Sequence, residues 1–211
     1  MTATLDTARA EQRRRRPLVT KGDEREQALL DATEDLLRSG GAPDLTVEAI
    51  AKRAKLTRTA FYFYFASKED AVGRIAQRYL GEIFDAARPA FDPEVPIERG
   101  IREALDNQVE VWGKHGRALA AVADLAGSDP AIRELWVGEI ERFVEPVRER
   151  LAAYQREHGL RPSRNNRRRA EAVVWMLERY YYVWASGHYD HPPKAVADTL
   201  YEISLAMFEL E

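Results

Sequence analysis

The side chains with the most chemistry to offer lie between Asp44 and Asp70, in the stretch DLTVEAIAKRAKLTRTAFYFYFASKED. Between Leu45 and Lys68 five basic residues (Lys52, Arg53, Lys55, Arg58 and Lys68) stand against one acidic residue, Glu48. A net-basic pair of short helices, with Thr, Arg and Tyr exposed at the start of the second, is what reading duplex DNA requires. Thr57, Arg58 and Thr59 are the candidates for base edges. Thr46, Tyr62, Tyr64 and Lys68 are the candidates for phosphate oxygens. The bland alternative is an ordinary three-helix cluster with a solvated charged face.

The elements that must position these groups follow from spacing. Thr46 suits an N-cap, and Val47, Ile50, Ala51 and Ala54 fall at i, i+3, i+4 and i+7, a single apolar face. Lys55-Leu56 leaves room only for a sharp turn before Thr57 caps the next helix. There Phe61 and Phe65, four apart, share a core-facing stripe, while Arg58, Thr59 and Tyr62 point elsewhere. Ser67 and Asp70 have the spacing of a capping box that opens a further helix.

With those residues in view, positions 24–72 resemble the DNA-binding domain of the tetracycline-repressor (TetR) family. That family's pattern has a hydrophobic first helix, then T-V-x-x-I-A, a turn, and [ST]-x-x-x-[FL]-Y-x-[YH]-F-x-[SN]-K-[ED]. The chain supplies Thr46 to Ala51 (TVEAIA) and Thr57 to Glu69 (TRTAFYFYFASKE). One departure is Lys55, where the family commonly has Gly in the inter-helix turn; a positive φ costs a lysine more than a glycine. The resemblance implies an all-α fold of about nine helices, an operator of double-stranded DNA and a homodimer.

Charge is divided along the chain. Residues 1–68 hold 13 Lys+Arg against 10 Asp+Glu, a net of +3, and the remaining 143 hold 19 against 25, a net of −6. The basic excess sits with the motif, and the acidic remainder keeps the larger part off DNA. No cysteine is present, which excludes a disulfide framework and a thiolate metal site and fits a reducing, cytoplasmic setting. No window reaches the length of an apolar membrane span, and Met1–Ala10 lacks the apolar stretch of a signal peptide.

Punctuation gives three units: 1–22, a flexible arm with the basic run Arg13–Arg16; 23–67, the helix-turn-helix domain; and 68–211, a helical domain for ligand and dimer. The basic run either solubilises the arm or meets DNA. Asp23–Ser39 reads as an amphipathic helix with Leu29, Ala32, Thr33 and Leu36 in step, ended by Gly40-Gly41. Lys68–Arg88 is a long helix closed by Pro89, followed by a proline-rich joint. Later helices are expected over 97–113, 117–126, 130–158, 165–186 and 193–210, with Pro146 kinking the third of these.

The second half is rich in Trp, Tyr and Phe at helical spacing. Any single one is an ordinary core residue, but together they suit an elongated apolar cavity. Ile101, Leu105, Gln108 and Trp112 mark one helix face, Trp136, Ile140 and Phe143 a second, and Val174, Leu177 and Tyr181 a third, so three helices could enclose one channel. The stretches around Trp136, Phe143 and Trp175–Arg179 are similar to the EthR-type repressors of the same family, which implies a mostly hydrophobic small-molecule effector. Where that subgroup has polar amides facing its channel, this chain has Val174 and Leu177, implying a ligand with fewer hydrogen-bonding groups.

Glu178-Arg179 interrupts an apolar helix and must be satisfied by an ion pair or by a ligand. Val196, Leu200, Ile203, Met207 and Leu210 form a near-heptad stripe on the last helix, beside the apolar helix 165–186, as in a four-helix dimer interface. Enzymatic motifs are missing: no phosphate loop, no G-x-S-x-G and no Cys nucleophile. His188-Tyr189-Asp190-His191 lacks a third metal ligand, so neither a catalytic site nor a metal or other cofactor is expected. The expected function is a ligand-responsive transcriptional repressor that binds a palindromic operator as a dimer. The competing reading is a ligand-independent DNA-binding or architectural protein.

Overall fold

A helix that begins on a capped threonine, Thr20, opens the part of the chain that the computed structural model describes, residues 20–41 and 44–209. Among these residues the structure is nine α-helices and one 3-10 turn, with no strand. The arm expected over 1–22 falls almost wholly outside them, as does Leu210. No described helix is long and apolar enough to cross a membrane.

Helix α1 (Lys21–Ser39) starts two residues earlier than expected, because Thr20 and Asp23 cap each other reciprocally. It buries Leu29, Ala32, Thr33 and Leu37, with Leu36 only half-buried. Helices α2 (Val47–Arg53) and α3 (Arg58–Tyr64) follow, each begun by a threonine whose hydroxyl accepts from the backbone N–H three residues on. Between them Lys55 takes φ 57°, the left-handed turn that its position required. Phe61 and Phe65 are fully buried with Leu29, Leu45 and Ile50 in one apolar cluster, which fixes α3 and turns its other face outward.

Helix α4 (Lys68–Ala86) spans about 27 Å at the α-helical rise. Ser67 accepts from Asp70 N–H, but the Asp70 carboxylate reaches back to Ala66 N–H, one residue beyond the expected box. A 3-10 turn (Arg88–Ala90) and the proline joint lead into α5 (Ile97–Ser128). The body continues with α6 (Pro130–Glu141), α7 (Val144–Glu157), α8 (Asn166–Ala185) and α9 (Pro193–Phe208).

The expected helix count is reached through two opposite boundary errors. Gly113 and Gly116 do not break α5, which runs through them. A Cβ on Gly116 would lie 2.4 Å from that of Ala185, so this glycine lets α8 approach α5 closely. Conversely, the single helix expected over 130–158 is divided at Arg142-Phe143. Pro146 therefore falls in the first turn of α7, where no intrahelical N–H is lost and no kink is needed.

Helix α5 is the axis of the body. It packs against α1, α4, α6, α8, α9 and the 3-10 turn, and half of its 32 residues are buried. Helix α4 packs on α1, α5 and α6, joining the three-helix head to the body through one continuous core.

Candidate functional site

On the outward side of α2 and α3, Thr57, Arg58, Thr59 and Tyr62 are all exposed, as is Thr46. Arg58 pairs with Glu48 across the inter-helix turn and lies 6.0 Å from the Tyr62 ring centre. That holds the guanidinium beside α2 in the free protein. The hydroxyls of Thr46 and Thr57 accept at their helix caps and keep their own protons for an outside acceptor.

Two expected phosphate contacts are more committed than their spacing suggested. Tyr64 is half-buried near Gly22 at the start of α1. Lys68 donates to the Leu45 carbonyl at 3.1 Å, tying α4 to the entry of α2. One group was missed: Phe63, 81% exposed, is the most exposed large apolar side chain described and neighbours Tyr62, 50% exposed. Its position inside FYFYF, two before buried Phe65, was the available signal.

The body holds an apolar cavity of about 80 Å³ between α4, α5, α6, α7, α8, α9 and the 3-10 turn. Nine of the ten residues named from helix faces line it: Ile101, Leu105, Gln108, Trp112, Ile140, Phe143, Val174, Leu177 and Tyr181. Trp112 and Tyr181 stack at 5.7 Å, and the Tyr181 hydroxyl donates to the Leu105 carbonyl at 3.4 Å. Burial pushes the Tyr181 phenol far up, so it stays neutral.

Trp136 is the exception. It is buried on α6 but does not line the cavity. It stands beside Glu178, close enough to ease that carboxylate's charge without completing a hydrogen bond. Residues missed include Ile83 at the end of α4, Phe91 from the joint, and Ser204 and Phe208 on α9; Glu178, for which an ion pair or a ligand contact was expected, also lines it. Sequence gave no reason to bring the joint here, and α9 had been assigned to an interface. In fact Val196 and Leu200 of its stripe are buried within the subunit, where α9 packs on α5, while Ile203 is exposed and Met207 half-buried.

Glu178 is the anomaly of the lining. Its side chain is 2% exposed, and neither carboxylate oxygen has a hydrogen-bond partner. Burial raises its pKa above the usual carboxylate value; Arg179, with Nε at 3.6 Å, and the Trp136 indole oppose that shift. The folded state therefore binds this proton more readily than the unfolded chain. Stability from this group falls as pH rises from the ordinary carboxylate range through the raised value. Glu178→Gln should remove that fall, so urea unfolding should show the variant gaining on wild type as pH rises above the ordinary carboxylate range. A difference that stays flat with pH would show that the folded carboxyl is not perturbed.

Sequence comparison assigns the family. Residues 29–75 match the pattern of "Bacterial regulatory proteins, tetR family". The uncharacterized HTH-type transcriptional regulator TtgW of Pseudomonas putida is 30% identical over 136 residues, covering 98% of that protein and 63% of this chain. The chain belongs to the TetR family. It is a transcriptional regulator. EthR of Mycobacterium tuberculosis, an HTH-type transcriptional regulator, is 27% identical over 207 residues, 96% of this chain and 95% of EthR. A TetR-like regulator from Rhodococcus sp. RHA1 superposes with a TM-score of 0.69 at 23% identity, covering 93% of this chain and all of that one. The helix-turn-helix pair α2 and α3 of this TetR-family chain thus lies within the matched segment, and the cavity lies in the body beyond it.

Proposed function

We propose that the protein is a cytoplasmic repressor that binds a palindromic operator as a homodimer and is released when a mostly hydrophobic small molecule fills the cavity. Residues 23–67 read DNA and 68–211 hold effector and partner. The observation that carries this reading is the position of α4. Its Ile83 end forms part of the cavity wall, and its Lys68 end is tied to Leu45 at the start of the helix-turn-helix. A molecule that pushes on Ile83 and Phe91 therefore acts on the element that sets the angle of the head. Effector binding must favour one arrangement over the other for that push to count.

In the dimer, α8 supplies the contact face with α9. Trp175, Met176, Tyr180, Val183 and Trp184 are half-buried in the single chain, and Ile203 on α9 is exposed. Such partly covered aromatic faces suit a symmetric four-helix contact. Two heads related by the dimer axis then meet the half-sites of a palindrome.

The test uses an operator obtained by in-vitro selection and an effector found by thermal shift against hydrophobic small molecules. Saturating effector should lower operator affinity about 5- to 150-fold, the range of a coupling of about 1–3 kcal/mol. Unchanged affinity at saturation would leave the ligand-independent reading standing.

A further inference from the structure

We propose that the effector carries a protonated amine on a short apolar body, and that the Glu178 carboxylate accepts it inside the cavity. This rests on the effector reading above and names the chemistry of the effector. Among the described residues Glu178 is the sole charged side chain of the lining, and the other lining residues are mostly apolar. Its two oxygens offer about four acceptor positions, and none is used by a described residue. Burying a carboxylate in that condition is costly unless a cation or donor arrives to meet it.

The neighbouring cation does not fill the role. Arg179 is more than half exposed, sits 3.6 Å away and lies over the Tyr182 ring at 4.5 Å, outside the cavity lining. The remaining polar atoms of the wall are largely committed. The Ser204 hydroxyl donates to the Leu200 carbonyl at 2.7 Å, and the Tyr181 hydroxyl donates to Leu105. Gln108 adds one amide that can accept a second ammonium proton. The acidic excess of residues 69–211, 25 Asp+Glu against 19 Lys+Arg, draws cations toward this body rather than anions. A lining with one carboxylate and no cation selects a positive group.

A matched trio tests this: 4-phenylbutan-2-amine, 4-phenylbutan-2-ol and 4-phenylbutan-2-one, equal in skeleton and differing at one atom. Calorimetric titration at pH 7.5 should show the amine binding wild type at least about tenfold tighter than the alcohol, as expected for a desolvated charge-assisted pair. In Glu178→Gln that preference should vanish while the alcohol's affinity is held. If the alcohol or ketone binds wild type as well as the amine does, the amine proposal is overturned and the effector cavity stands. A ketone preferred over both others would also overturn it, with Glu178 then acting as a neutral donor. Should none of the three bind, the cavity reading falls with the proposal. The wild-type comparison decides between amine and alcohol even if the variant does not fold.

Discussion

Arg58→Ala is expected to weaken binding to the selected operator by about 1–3 kcal/mol and to relax base preference at one position of each half-site. The geometry gives this prediction a second half. In the free protein the guanidinium is held by Glu48 across the turn and lies near the Tyr62 ring. Both residues are more than half exposed, so the pair itself contributes little to stability. Its effect is to keep a long side chain near the head surface, where less rotamer freedom is lost on meeting a base. Glu48→Gln should therefore leave folding intact and change operator affinity far less than Arg58→Ala. Lys68→Ala should behave differently from both. It removes the bond to the Leu45 carbonyl, so melting temperature should fall together with affinity for all sequences. An Arg58→Ala protein that binds its operator as tightly as wild type, with the same preferences, would remove Arg58 from the base-reading surface.

The head was readable from sequence because its determinants are local. Thr46 and Thr57 cap helices within three residues of themselves, and Phe61 and Phe65 lie one turn apart. Lys55 was marked as the position needing a left-handed backbone, and it takes one. In the body the faces of α5 and α8 were readable for the same reason, since a period of three and four residues fixes which side chains share a face. What sequence could not supply was information carried by distant pairs. Gly116 looked like a break because its reason, the approach of Ala185, lies 69 positions further on. Trp136 shares a helical face with Ile140, yet α8 places Glu178 beside it. The α9 stripe had two possible customers, the subunit's own α5 and a second chain; Val196 and Leu200 go to the first. Phe63 was passed over although the spacing of Phe61 and Phe65 already placed it off the core-facing stripe, because only polar side chains were sought on the outward face.

Trp112→Ala is expected to cost about 3–5 kcal/mol of stability, the largest single effect of any substitution considered for this chain. Trp112 is 2% exposed, stacks on Tyr181 and lines the apolar cavity. Removing the indole joins its volume to space that is already empty, so the helices cannot easily collapse onto the gap. Gly113 and Gly116 limit that collapse further, because α8 already lies against α5 at Gly116. An apolar void of this kind takes up small aromatic molecules. Free indole should therefore raise the melting temperature of Trp112→Ala well beyond any rise it gives wild type, with the extra gain growing as the logarithm of indole concentration above its dissociation constant. The rescue also separates stability from regulation. Indole in the variant restores the wall of the cavity rather than occupying the effector's place, so operator affinity should return toward the wild-type value as the protein is stabilised. A loss below about 1 kcal/mol, or rescue of wild type and variant alike, would mean that Trp112 does not form the wall between α5 and α8.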